Sequence, residues 1–295
     1  MKLLAFDINE PVPELKEPHA LAIIRPWTDV SSVGSLILSC LEAYLGPKEL
    51  GKLTRPGDFF DFTRYRPTIN RKEKHSEVVV PNTVITYGKQ PSNHDFIFLR
   101  LLEPHMQAEE YIDSVIELFN NFGVKRYCLI GSMYDMVPYT RPLLVTGSAS
   151  NPGLQNELAL ADVVHSNYEG PTTILSVIGN RALQSGIETC NVIVHLPNYL
   201  TMEADYRGEK RLMEVISSLY GFSMPPEEIE KANEQQEQVR LISEQIIEQE
   251  PRLGHILKEL EANYDSRIKE DKKETKLSPE VEKFLQDLDR RFRQE

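Results

Sequence analysis

Two short apolar runs constrain the fold of this chain more than any other feature: residues 127–130, YCLI, stop at Gly131, and residues 143–145, LLV, lead through Thr146 to Gly147. No polar residue interrupts either run, which is the pattern of a strand buried on both faces in a sheet covered by helices. Both runs pass into polar, glycine-bearing loops. In open α/β sheets, the loops beyond the carboxyl ends of the strands are where ligands usually bind. The spacing therefore predicts a central strand pair with a candidate site in its loops.

The same reading extends along the chain. Residues 21–24, 58–62, 77–87, 95–101 and 192–196 are expected as strands, and Pro81 makes 77–87 an edge or bulged segment. Helices are expected over 33–46, 107–122, 153–161, 174–185 and 205–220, with glycines closing most of them. Gly34 lies inside the first helix, where it lowers stability relative to alanine unless another backbone packs closely against it. The succession of strand, helix and strand from 95 to 130 implies parallel strands joined by a right-handed crossover. This alternation of strands and helices agrees with a three-layer α/β/α fold with a mostly parallel central sheet.

From Pro225 onward the chain becomes rich in Glu and Gln, with apolar residues at helical intervals, and predicts two helices divided at Pro251. The stripe Val239, Leu241, Ile242, Ile246 and Ile247 calls for a partner in cis or in another subunit. A charged linker, SRIKEDKKETK, and a terminal helix from Ser278 follow. The expected domains are an α/β core over 1–222 with an extended N-terminal arm at 1–20, a helical extension over 223–266, and the linker and terminal helix over 267–295.

A formal net charge of −12 repels a phosphate backbone and leaves no basic stripe, so nucleic acid is not an expected partner. No apolar run reaches the roughly 20 residues that span a bilayer, and the start does not read as a signal peptide. The cytoplasm is the expected location and no membrane association is expected. Cys40, Cys128 and Cys190 show no metal or disulfide spacing. No histidine pattern fits a metal, and no cofactor motif occurs: the nucleophile-elbow and phosphate-loop patterns are both missing.

The candidate ligand cleft consists of Arg25, Asp135, Arg141, Ser148, Ser150, Asn151 and Glu169. Hydroxyls and free N–H groups at the start of the helix after Asn151-Pro152 can bind phosphate or carboxylate, although an ordinary capped turn accounts for the same residue types. Asp135, Arg141 and Glu169 can line a polar cleft in which the Arg141 guanidinium pairs with a ligand carboxylate or phosphate, the alternative being a surface ion pair between Arg141 and an acid. Cys128 is expected in the core, and His165 and His195 as hydrogen-bonded structural residues.

Val33-Gly34, the segment RPLLVTGSASNPGLQNEL, the segment YEGPTTILSVIGNRALQSGI and LPNYL resemble, in order and spacing, the proteasome assembly chaperone family of the second-subunit type, in its bacterial and archaeal branch. The resemblance covers about residues 20–240. It implies a three-layer α/β/α fold similar to nucleoside phosphorylases and certain hydrolases, a C-terminal helical extension, and self-association as a homo-oligomer whose size is left open, a trimer or larger included. Relatives of this kind can dock on the proteasome through a C-terminal hydrophobic–tyrosine–any-residue tail. This chain ends Arg293-Gln294-Glu295, so docking by such a tail is not expected. The leading expectation is a non-enzymatic, assembly-chaperone-like protein with an unknown protein partner. The alternative is a hydrolase- or phosphorylase-like small-molecule enzyme using the cleft, and the third reading is an ATP-dependent carboxylate–amine ligase.

Overall fold

A computed structural model of the chain describes residues 1–72, 75–90, 94–249 and 251–274. In chain order the strands are β1 (Lys2–Leu3), β2 (Phe6–Ile8), β3 (His19–Arg25), β4 (Lys48–Leu53), β5 (Thr68–Lys72), β6 (His75–Val79), β7 (Val84–Gly88), β8 (Phe96–Leu102), β9 (Arg126–Asp135), β10 (Val145–Ala149), β11 (Val164–His165) and β12 (Glu188–Pro197). The helices are α1 (Val33–Leu45), α2 (Ala108–Phe122), α3 (Pro152–Leu160), α4 (Ile174–Gln184), α5 (Tyr206–Tyr220), α6 (Pro226–Gln249) and α7 (Pro251–Glu274). Ten strands form one sheet, ordered β1-β2-β4-β7-β8-β3-β9-β12-β10-β11.

Helices α1, α3 and α5 cover one face of this sheet, and α2 and α4 cover the other. The strand sequences match that sandwich. In β3, Ala20, Ala22 and Ile24 pack into the core under α2 and α4, while Leu21 and Ile23 enter the core under α1 and α5. Tyr127 and Leu129 of β9 alternate with Cys128 and Ile130 in the same way. Gly34 is needed because a Cβ there would stand 2.9 Å from the Ile23 side chain and 3.1 Å from the Asp29 carboxylate. The close neighbours are side chains, not another backbone.

Several expectations change. The parallel pairing is confined to β8-β3-β9-β12 and to β10-β11, and the remaining pairs are antiparallel. Strands β9 and β10 are not neighbours, because β12 lies between them and β10 runs antiparallel to it. Residues 58–62 are not a strand: a 3-10 turn at Pro56–Asp58 delivers Phe59 and Phe60 against Tyr111 of α2. The strand lies earlier, at β4, whose sequence KELGKL hides its role because half its positions face solvent. Pro81 divides 77–87 into the end of β6 and β7. The expected N-terminal arm instead forms the β1–β2 hairpin on the sheet edge, with Phe6 and Ile8 buried.

Strands β5 and β6 form a separate two-stranded hairpin, in which Ile69 pairs with Val78 and both are exposed. The chain divides into two compact units, Met1–Leu241 and the residues from Ile242 onward. Residues 226–241 of α6 belong to the first unit, where Gln235 donates to Ala204 O and accepts from Tyr206 N at 2.8 Å. Helix α7 runs to Glu274 through most of the expected linker, since Lys and Glu are good helix formers. The terminal helix from Ser278 and the residues Arg293-Gln294-Glu295 lie outside the described residues.

Candidate functional site

The chain leaves β3 toward β4 on one side of the sheet and leaves β9 toward β10 on the other. The gap between the carboxyl ends of β3 and β9 is therefore the switch point, the place where doubly wound sheets bind ligands. The two strands pair only from His19 to Ala22 against Arg126 to Leu129 and then part, although β3 stays paired with β8 to Arg25, and β9 with β12 to Asp135. A crevice opens beyond Ala22 and Leu129.

The protein's own backbone fills it. Ser132 N donates to Thr28 O at 2.9 Å, and Ser132 Oγ to Val30 O at 2.8 Å. Asp29 forms a bridge with Ser132, and the Ser31 and Tyr134 hydroxyls lie 3.0 Å apart. Gly131 makes the approach possible, since a Cβ would come within 2.8 Å of the Thr28 carbonyl oxygen. Ser31 and Ser32 adopt left-handed φ values of 51° and 58° to turn the loop into α1. Asp29 then anchors that helix, accepting from Ser35 N at 3.0 Å and Ser35 Oγ at 2.6 Å. Burial raises the Asp29 carboxyl above its ordinary range in spite of those bonds.

Beside the plug, a hydrogen-bonded chain crosses three strands. His195 Nδ1 lies 2.8 Å from Asp135 Oδ2, and its Nε2 lies 2.8 Å from Thr146 Oγ1. His195 is expected only as a structural residue and Thr146 carries no signal in the sequence, because only the β9-β12-β10 order brings the three together. An acid, an imidazole and a hydroxyl in series can relay a proton. Here His195 is almost completely buried and its neighbours are strand residues, so the series ties the strand ends together.

The strand ends also carry exposed apolar side chains among polar ones such as Arg25 and Asn198. Trp27 is 66% exposed and Met136 55%, with Met133 and Tyr199 also exposed. Tyr199 Oη donates to Val137 O and accepts from Tyr139 N, both at 3.0 Å, which fixes the loop from 136 to 144. Nearby, Glu103 accepts from Ile174 N at the start of α4, and burial raises its carboxyl. An open recess of about 770 Å³ adjoins the same end, lined by Phe60, Asp61, Phe62, Arg64, His105 and Met106.

The seven expected cleft residues do not converge. Arg25, Asp135 and Arg141 sit at the carboxyl end of the parallel strands. Ser148, Ser150 and Asn151 sit at the opposite end, because β10 is inverted: Ala149 pairs with Cys190, which pairs with Cys128, seven residues before Asp135. That separation is roughly 23 Å of strand. The groups expected to bind an anion are taken by the chain itself. Asn191 Nδ2 donates to Ser148 Oγ at 2.6 Å, Thr189 N to Ser150 Oγ at 3.0 Å, and Leu154 N to Asn151 Oδ1 at 2.9 Å as the cap of α3. Glu169 is exposed in the segment leading from β11 to α4.

The PAC2 family model matches residues 23–242. The chain belongs to the PAC2 family. Solved PAC2-fold structures are similar to it across most of its length. A Mycobacterium tuberculosis protein of unknown function, Rv2714, superposes with a TM-score of 0.76 at 20% identity, covering 93% of each chain. The M. tuberculosis proteasome-assembly chaperone homologue Rv2125 gives 0.67 at 19% identity, covering 75% of this chain and 93% of its own. Pyrococcus furiosus PbaB, an archaeal proteasome activator, gives 0.62 at 15%, covering 81% of this chain and 98% of its own. No curated protein matches the sequence. At these identities, the structural likeness establishes the PAC2 fold: a three-layer sandwich with a large mixed sheet.

Proposed function

We propose that this PAC2 protein is a non-enzymatic, assembly-chaperone-like factor that binds another protein through the carboxyl end of its parallel strands. One observation carries the reading: the crevice between β3 and β9 is closed by Thr28–Ser31 backbone bonded to Ser132, and Trp27, Met133, Met136 and Tyr199 are each exposed at or just beyond the carboxyl ends of β3, β9 and β12. Exposed aromatic and methionine side chains are what protein interfaces favour, and methionine adapts its shape to a partner. The likeness to a proteasome-assembly chaperone homologue and to a proteasome activator supports the same class of work. The proposed setting is the cytoplasm. Among the described residues, no helix is long and apolar enough to cross a membrane.

The protein works as a homo-oligomer in this reading. Ile69 and Val78 of the β5–β6 hairpin, and Leu241, Ile242 and Ile246 of α6, are apolar and exposed on the single chain. A two-stranded hairpin is marginally stable alone in water, so a covering surface would stabilise it.

The test combines two measurements. A photo-crosslinking residue in place of Trp27 is expected to capture one defined protein in cells, and Met133→Glu with Met136→Glu is expected to abolish the capture. A thermal-shift screen with nucleosides, phosphate, sugar phosphates and ATP is expected to stay flat. A ligand shift lost in Arg141→Ala would overturn the reading in favour of a small-molecule enzyme.

A further inference from the structure

A second site lies away from the strand ends, between α1, the start of α5 and the start of α6. There a cavity of about 370 Å³ is bordered by Cys40, Tyr44, Tyr206, Glu209, Glu228 and Lys231. Glu209 is its unusual member. It follows the Asp205 cap of α5 and shares a helical face with Leu212, Met213 and Ile216, all buried, so the sequence places a carboxyl group in an apolar stripe. The residue is 1% exposed, and its Oε2 accepts no hydrogen bond. A buried acceptor without a donor is costly, and native proteins seldom leave one in that state without a use for it.

The walls indicate which donor fits. Lys231 Nζ lies 2.7 Å from Glu228 Oε1 and 5.5 Å from the centre of the Tyr206 ring, so an ammonium is already held at the rim by a carboxylate and an aromatic face. Glu227 adds a further negative charge there, so the acids of the rim and floor outnumber its one lysine. Among the described residues no three His, Cys, Asp or Glu side chains converge to hold a metal ion. The Cys40 thiol is pushed up to about 11 by burial, then by Glu209 and Glu228, and so stays a neutral wall of the cavity. A cavity of this size with tyrosine walls suits an organic cation better than a bare ion.

We propose that this cavity binds a primary ammonium or guanidinium group, with Glu209 as the counter-ion, Tyr44 and Tyr206 as walls, and Lys231 as the resident cation at the mouth. The ligand is either a free amine or a lysine or arginine side chain of a protein. The proposal stands independently of the docking face at the strand ends. Burial, with a further contribution from Glu228 against Lys231, raises Glu209 to about 7, so binding a cation at neutral pH would ionise Glu209 and release a proton.

The experiment is titration calorimetry on the full chain with putrescine and, separately, with Nα-acetyl-lysine amide and Nα-acetyl-arginine amide, in two buffers of different ionisation enthalpy. Saturable binding with proton release is expected, weakened at least tenfold in Glu209→Gln. Lys231→Met, which removes the competing ammonium, is expected to tighten binding severalfold. Binding of putrescine alone assigns a free amine, and binding of the amino-acid amides alone assigns a protein side chain. No binding of any probe by either the native chain or Lys231→Met would overturn the proposal, as would affinity unchanged in Glu209→Gln.

Discussion

Asp205→Ala tests how the first unit is held together where α5 meets α6. Asp205 and Arg207 are both buried, with their charges 2.7 Å apart. Asp205 Oδ1 also accepts from Gly208 N at 2.9 Å, the cap of α5. The substitution therefore does two things: it removes a cap, worth about 1 kcal/mol, and leaves the Arg207 guanidinium buried without its counter-charge, worth about 3–5 kcal/mol. These effects share one side chain and do not add fully, so the expected loss is about 4 kcal/mol. For a unit of this size, that lowers the melting midpoint by roughly 10 °C. Urea denaturation followed by circular dichroism measures the loss. Arg207→Met is expected to cost less, because Asp205 keeps its capping bond from Gly208 N, and because Arg207 Nη1 already has no partner. The reasoning fails if Asp205→Ala costs under about 1 kcal/mol, or if Arg207→Met costs more.

Other predictions follow from the same structure. Glu209 has its carboxyl raised to about 7 in the folded state, so the native protein binds more protons than the unfolded chain between the ordinary Glu range and that value; the contribution to stability is full at acid pH and falls as pH rises through that window. Urea titrations are expected to show native-minus-Glu209→Gln stability falling by about 2 kcal/mol from pH 5 to pH 8, less than the full shift because the rim charges are solvated. Gly147→Ala places a methyl against the Asn191 carbonyl oxygen and 2.9 Å from Val163 Cγ1, and is expected to cost about 3 kcal/mol by urea denaturation. Asn151→Ala removes the α3 cap for about 1 kcal/mol, and its midpoint should respond to added phosphate no differently from that of the native protein. Light scattering is expected to show smaller particles for Ile69→Asp with Val78→Asp, and for Ile242→Glu with Ile246→Glu, than for the native chain; unchanged mass in both would refute self-association through these surfaces.

Much of the fold is legible in the sequence because burial on both faces leaves a plain signal. Strands β3, β8, β9 and β12 each contain an unbroken apolar run, such as 20–24 and 127–130, and helices between them end at glycines that adopt left-handed conformations, Gly46 at φ 63° and Gly123 at φ 67°. The antiparallel flank is not legible in this way. Strand β4 reads KELGKL, with only three of its six positions buried, while Phe59 and Phe60 give a strong apolar signal from a turn that packs as a plug. Apolar content reports burial and does not by itself report extended backbone. The α6–α7 region illustrates the same limit: the Lys/Glu-rich stretch that suggests a linker continues α7 to Glu274.

The expected cleft failed to assemble for a topological reason that no local pattern carries. A polar loop after an apolar run marks the carboxyl end of a strand, but which end of the sheet that is depends on the direction of the strand. Strand β10 enters antiparallel to β12, so the hydroxyl-rich turn after it faces away from Asp135 and Arg141, and its donors and acceptors close the α3 cap and the β12 start. At the other end, the switch point, where doubly wound sheets bind ligands, holds Thr28–Ser31, and Gly131 is the residue that admits them. A side chain at Gly131 would push the Thr28 carbonyl out and reopen the gap between β3 and β9. The same segment that fills this crevice carries Trp27 exposed beside it, and the proposed docking role rests on that pairing of a closed crevice with an exposed aromatic side chain.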